Sequence, residues 1–381
     1  MGHNSPGFEG PRGTRPDETK RVIELVNRVF RGDVEGDMYG RFPVLFGDEN
    51  LGNCRIVLDG GRPVSHIAYL PRQAVIGGPT ISVACMGAVC TDEEYRGRGI
   101  ASRILDDCER RMQEQGVDVV IISGGRGLYL RWGARTVGER HEYRITREDA
   151  PALADDSMTV RPGGPDDTPV LAALYDTNPV RFVRSQEDWH TWLTAGRCSN
   201  AAGCPMIGHI DGKAVAYVVH NYENIRRELI SGAGEWAGEP QHVAGILAVL
   251  ATERERDHVE VSADPIPDGR LVRVLDDAGI HRKVTHFGAT VRVLRPSALF
   301  EKLRARLDPP ACDVRMTDVG GGARPKLGAE ELALPAEEVA RAFFGDPEGA
   351  VPKKFAAAGA LGRAMLDTFP LPLPHYGYNY A

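Results

Sequence analysis

The sequence predicts an α/β (α+β) protein with two mixed-sheet domains in tandem and a small C-terminal α+β segment. Three observations lead there. A strand-like run, Ile81 to Cys90, is followed by a glycine-rich turn, Arg96-Gly97-Arg98-Gly99-Ile100-Ala101, and a helix-like run from Ile100 to Gln115. The same alternation of strands and helices starts again after residue 158. At 381 residues, 42% hydrophobic and 26% charged, the chain has room for two or three domains of ordinary globular composition.

In order, residues 1–16 read as a mobile tail. Asp17–Phe30 is a helix with an apolar stripe at Val22, Ile23, Leu25, Val26, Val29 and Phe30, and Asp17 as its cap. Residues 32–51 are loop-rich around the patch Tyr39, Phe42, Leu45 and Phe46. Arg55–Leu58 and Pro63–Tyr69 flank an Asp59-Gly-Gly-Arg62 turn, and Val75–Val89 adds a turn and strand. After the Ile100–Gln115 helix come a buried strand, Val117–Ile122, a short helix at Gly127–Gly133, and a hairpin ending near Thr146. Residues 17–147 make the first domain, and the acidic, alanine-rich stretch 148–158 a linker.

The second domain, 159–307, repeats the order. It has a strand at Met158–Pro162, a helix from Asp166, a hairpin around Asp211-Gly212, a helix at Glu239–Arg254, a strand at His258–Ser262, a helix at Gly269–Gly279 and a strand at Val284–Leu294. Residues 308–381 hold a flexible Gly320–Ala323 segment, a helical run at Leu332–Phe344, and a tail from Phe369 to Ala381. That tail is too apolar to be loose in water and is expected to dock into another part of the protein.

Residues 96–101 have the makings of an anion cradle. Glycines bring the backbone close, and successive N–H groups at a helix start face a negative charge. Arg96 and Arg98 add positive charge, and a pyrophosphate is the expected guest. No Walker string is present, and Gly97-Arg-Gly99-Ile-Ala-Ser102 lacks the third glycine of a dinucleotide fingerprint. The bland reading is a capped surface turn.

The turn matches Arg/Gln-x-x-Gly-x-Gly/Ala, and its setting resembles the GNAT superfamily of N-acetyltransferases, in which that string binds the acetyl-CoA pyrophosphate. Glu94-Tyr95 precedes it much as in the family's Pro-x-Tyr-Arg-Gly-x-Gly, with Glu93 in place of proline. Gly127-Leu-Tyr129-Leu-Arg-Trp-Gly133-Ala134 is similar to the family's Tyr-x-x-x-Gly-Phe, with Ala134 in place of the aromatic. In the second domain, residues 232–240 lack the cradle and carry Glu235 and Glu239, two charges expected to repel a pyrophosphate. That domain is therefore read as a degenerate, structural copy. Two such domains and a C-terminal segment resemble the enhanced-intracellular-survival (Eis) family, whose third domain is sterol-carrier-like. Here that segment is short and would be a reduced version.

The resemblance implies acetyl transfer from acetyl-CoA, as co-substrate, to an amine by direct attack. The acceptor would be an amino sugar, a polyamine or the lysine of a peptide. Cofactor contacts are expected at Val89, Cys90 and Thr91, along Arg96, Gly97, Arg98, Gly99, Ile100, Ala101 and Ser102, and at Ser123 and Gly124. Tyr129 becomes the general acid, since a phenol is protonated at neutral pH. The α-carboxylate of Ala381 becomes the base, with Glu93, Glu94 and His141 as lesser candidates. Other readings are a mycothiol-synthase-like acyltransferase and a non-catalytic acyl-CoA-binding protein. Homo-oligomers, hexamers in that family, are implied as well.

A net charge of −7 argues against broad nucleic-acid binding. No 18-residue apolar run or signal-peptide core appears, so a cytoplasmic protein without a membrane partner is expected. Seven scattered cysteines and eleven histidines show no metal-ligand spacing, and no metal is expected.

Overall fold

The computed structural model describes residues 7–32, 38–198, 201–224, 227–253, 257–266 and 269–380. The first half runs β1 (Phe8–Gly13), α1 (Thr19–Arg31), α2 (Met38–Arg41), β2 (Cys54–Asp59), β3 (Arg62–Ile76), β4 (Thr80–Thr91), α3 (Ile100–Glu114), β5 (Val119–Ser123), α4 (Gly127–Arg131), β6 (Arg135–Thr136) and β7 (Arg140–Thr146). The second runs β8 (Thr159–Pro162), α5 (Thr168–Tyr175), β9 (Val180–Phe182), α6 (Gln186–Ala195), β10 (Arg197–Cys198), β11 (Ala201–Ile210), β12 (Lys213–Glu223), β13 (Leu229–Gly238), α7 (Pro240–Ala251), β14 (His258–Ala263), α8 (Arg270–Asp277), β15 (Arg282–Thr285), β16 (Ala289–Val293) and α9 (Pro296–Leu303). A third segment adds β17 (Arg315–Val319), β18 (Gly322–Leu327), β19 (Glu330–Glu331), α10 (Ala336–Phe344), α11 (Ala350–Ala356) and α12 (Gly359–Thr368).

The two large sheets trade strands. The first has the order β1-β2-β3-β4-β5-β16-β6, with β9 on β3; the second is β10-β11-β12-β13-β14-β7-β15, with β8 on β11. The hairpin expected to close the first domain therefore does not form: β6 and β7 lie in different sheets. β7 pairs with β14 from His141↔Ala263 to Thr146↔His258, and β16 pairs with β5 from Ala289↔Ser123 to Val293↔Val119. Tyr143 and Ile145 alternate into the second core, while Val291 and Val293 alternate into the first. Either strand has the period-2 pattern that fills such a slot, so pattern alone does not select the sheet.

Alternation along β3 sorts the faces of the first sheet. Ile67 and Tyr69 pack toward α3, whose Ile100, Ile104, Leu105, Cys108 and Met112 form its buried stripe. Ala68 and Leu70 pack the other way, with Val22, Leu25 and Val26 of α1 and with Phe42, Leu45 and Phe46. Farther along, the third segment covers the same sheet through Phe343, Phe344, Phe369 and Leu371.

Other expectations change. Residues 8–13 of the supposed mobile tail form edge strand β1 on β2, with Phe8 edge-on to Tyr95 at 6.1 Å and Arg12 bonded to buried Glu18. Within the supposed linker, Ala150 and Leu153 are buried in the second core, because apolar side chains there find a ready surface. The Gly320–Ala323 segment is a tight β17–β18 turn with Gly320 and Gly321 at positive φ, and Gly322 and Ala323 are buried.

Candidate active site

β4 and β5 run parallel through Val83↔Val119 to Met86↔Ile122 and then part. β4 continues to Thr91, while β5 ends at Ser123. The parting coincides with a bulge. His66 pairs with Cys90 and Ala68 with Gly87, so Ala88 and Val89 oppose one residue, and Ala88 takes a φ of 50°. The imidazole Nδ1 of His66 lies 2.9 Å from the Ala88 carbonyl and stabilises this kink. Burial holds His66 neutral, with its pKa pushed down to about 4.

The cradle lies at the end of that opening. Gly97 and Gly99 adopt φ of 75° and 72°, and a Cβ built on either meets nothing within 4 Å. Gly99 is the left-handed N-cap of α3 and offers no side chain to the first N–H groups. Those donors fit a pyrophosphate. Arg96 Nε is 3.4 Å from the Thr91 carbonyl, Arg98 Nη2 donates to the Glu94 carbonyl at 2.9 Å, and the Arg98 guanidinium sits 5.0 Å from the Tyr95 ring centroid.

Tyr129 sits on α4, 3% exposed, in the apolar cluster with Met86, Val89 and Ile100. Its N–H donates to the Arg126 carbonyl and its own carbonyl accepts from Ala134. Val89, Cys90 and Thr91 line the β4 edge, and the Val89 carbonyl has Arg126 Nη1 at 3.4 Å. The Gly124 carbonyl accepts from Thr290 of β16, so the second half of the chain props this rim. Of the lesser bases, Glu93 lies on an exposed turn beside Arg96, and Glu94 is on that turn too. His141 lies on β7 in the other sheet, bound to Glu139.

Ala381 falls outside the described residues, but the chain leading to it is well packed. The turn Gly377–Tyr380 touches β4, β10 and β13. Tyr378 is buried, stacked on Trp192 at 6.2 Å and edge-on to Trp189 at 5.8 Å. Its N–H donates to Glu235 Oε2 at 3.2 Å, and Arg184 Nε reaches Asn379 Oδ1 at 3.4 Å.

Glu235 itself is a correction. It is an inward residue of β13, not an exposed acid in a loop. Arg184 grips it with two bonds of 2.8 and 2.5 Å, and Tyr217 donates to it at 2.7 Å. The Arg184 guanidinium packs 3.7 Å from the Tyr175 ring centroid and 4.7 Å from that of Trp189. Its charge is spent inside the protein. Glu239 remains exposed at the start of α7. The opening between β13 and β14 is roofed by Pro372, Leu373 and His375, which leaves a cavity of about 140 Å³. No sequence pattern had marked Arg126, His66, Arg184 or the Trp189–Trp192 pair. A three-residue spacing on α6 puts those two tryptophans on a shared face, a signal that needs the helix to be known first.

Parted parallel strands, a bulge, a bare helix N-terminus and a neighbouring buried tyrosine come together at one end of the first sheet. Residues 11–137 match the family model of the acetyltransferase (GNAT) domain, and this part of the chain is a GNAT domain. Over nearly the whole length the structure is similar to a GCN5-related N-acetyltransferase from Kribbella flavida, with a TM-score of 0.69, 17% identity, and 96% of this chain and 98% of that chain covered. A GCN5-related N-acetyltransferase from Anabaena variabilis gives 0.67 and 15%, with 96% and 98% covered. Eis1 from Mycobacterium abscessus gives 0.64 and 13%, with 96% of both chains covered. At these identities the likeness is one of fold, and it extends over both sheets and the third segment. No curated protein matches the chain. Among the described residues, no cluster of three His, Cys, Asp or Glu could hold a metal, and no helix is long and apolar enough to cross a membrane.

Proposed function

We propose that the protein is an acetyl-CoA-dependent N-acetyltransferase acting on an amine by direct attack. The observation that carries this reading is the parting of β4 and β5 directly beside the Gly97–Gly99 cradle and Tyr129. The thioester supplies the activated acyl group. Arg96 to Ser102 hold the pyrophosphate, while Val89, Cys90, Thr91, Ser123 and Gly124 line the path of the cofactor arm. Backbone N–H groups on the bulged β4 edge polarise the carbonyl.

Tyr129 packs on the α3 face of the sheet, while the Phe369–Asn379 tail crosses the opposite face. Acid and base can therefore approach the reacting carbon from two sides. Tyr129 protonates the leaving thiolate, and the Ala381 carboxylate takes the proton of the attacking amine. The second domain serves as the frame that holds the tail. Free-CoA release, measured with amino sugars, polyamines and lysine peptides, tests the reading. Melting-temperature shifts with acetyl-CoA but no CoA release with any amine would leave a binder and not a transferase.

A further inference from the structure

Four arginines converge where α1 and α2 meet the second domain, and none has a part in the chemistry above. Arg31 ends α1, Arg41 ends α2, Arg197 opens β10, and Arg227 lies in the β12–β13 turn with φ of 63°. Nη1 of Arg41 and Nη1 of Arg197 are closed off from water and have no hydrogen-bond partner among the described residues. Burial, then Arg197 and Arg227, push the Arg31 guanidinium below its ordinary range. Arg41 is lowered in the same way by burial, Arg197, Arg31 and Arg227, and among the described residues Glu223 acts against this.

Arg31, Arg41 and Arg197 are half-buried and Arg227 is exposed, and the two inaccessible nitrogens of Arg41 and Arg197 sit among like charges, whereas buried charge is normally paired. What satisfies such a group is an oxyanion, because the planar N–H fork matches a carboxylate or phosphate with two parallel bonds. The position is informative too. Arg41 borders Phe42, Leu45 and Phe46, which pack with Cys90 of β4, and β10 carries Cys198 beside Tyr378 of the docked tail. Two of the arginines come from each domain, so the cluster is complete only when both are in place.

We propose that Arg41 and Arg197, backed by Arg31 and Arg227, bind an anionic group on the acceptor, so that the substrate is an amine that also carries a carboxylate or a phosphate. This rests on the acetyl-transfer reading for the word acceptor, but the anion site is testable without it.

The first arm uses the full chain and no catalysis. Inorganic phosphate should raise the melting temperature of the wild type by about 2 °C or more over chloride at equal ionic strength. Arg41→Gln and Arg197→Gln should each lose that shift. In chloride alone Arg197→Gln should melt no lower than wild type, since it relieves repulsion. The second arm compares CoA release for matched pairs, glucosamine 6-phosphate against glucosamine and an amino acid against its amide. Charge-assisted hydrogen bonds predict roughly 10–100-fold higher kcat/KM for the anionic member, a preference that Arg197→Gln removes. The preferred pair decides between phosphate and carboxylate.

If Asp33, Glu35 or Asp37, which the sequence places between α1 and α2, already neutralise the cluster, phosphate will not shift the wild type, and the site is overturned. Equal turnover of neutral and anionic partners overturns it as well. A phosphate shift without CoA release from any amine would keep the anion site and sink the transferase reading. CoA release from neutral amines without a phosphate shift would do the reverse.

Discussion

Replacing Glu235 by Gln keeps the side chain's shape and removes its charge. The Arg184 and Glu235 side chains are 1% and 5% exposed, so water cannot stand in for the missing partner. Removing one member of a buried pair costs about 3–5 kcal/mol. The other contacts point to the upper part of that range. The amide keeps one acceptor oxygen where the carboxylate had served Arg184 twice, Tyr217 and the Tyr378 N–H. Its two N–H groups would also face a guanidinium. We expect a loss of about 4 kcal/mol. Adding Arg184→Met should restore part of it, because an apolar chain of similar volume leaves no buried charge. Trp189 and Trp192 surround this pair, so urea unfolding followed by tryptophan fluorescence reports on it directly. A chain with several domains need not unfold in one step, so the comparison is made on the transition these tryptophans report. A loss below about 1 kcal/mol, or a double variant less stable than Glu235→Gln, would refute the argument.

Three further outcomes follow from the same geometry. Tyr129→Phe should lower kcat roughly 10²-fold with KM for acetyl-CoA little changed, read by steady-state CoA release; near-normal turnover removes Tyr129 as the acid. Two residues appended after Ala381 should abolish most turnover while leaving the acetyl-CoA melting shift intact, and full activity would exclude the terminal carboxylate. His66 is neutral when folded, with a pKa of about 4, against about 6.5 when unfolded. The unfolded chain thus binds the extra proton first. Stability is full above pH 6.5 and falls as pH drops toward 4, by up to about 3 kcal/mol. His66→Gln should flatten that part of a pH–stability curve, and an unchanged slope would show that other groups set it.

The catalytic-side fold was legible because its signals are local. The strand, the cradle and the α3 stripe at Ile100, Ile104, Leu105 and Met112 lie in one continuous stretch, and each step has its own period or turn chemistry. β1 was missed because a run of glycine and proline looks like a tail, and only pairing with β2 makes it a strand. Glu235 was misread because charge is visible in a sequence and its partner is not. Arg184 lies far away in the chain and comes within 2.5 Å only in the fold. The exchange of β7 and β16 was illegible for a related reason: both strands carry the same alternation, and long-range pairing decides where each goes.

That exchange has a consequence for the timing of synthesis. β5 forms one wall of the opening where β4 and β5 part, and its partner β16 ends at Val293. Arg292 of β16 also bonds Glu109 of α3 at 2.6 Å and lies over Trp132 at 4.6 Å. When the last first-half strand, β7, leaves the ribosome, this wall still has a bare edge. At ordinary elongation rates it stays bare for about 8–30 s more, until roughly 150 further residues are made. For most of that interval, until β14 is complete at Ala263, β7 itself has no partner strand. The nascent chain must keep two unpaired strand edges apart, and the opening beside the Gly97–Gly99 turn cannot mature before most of the protein exists.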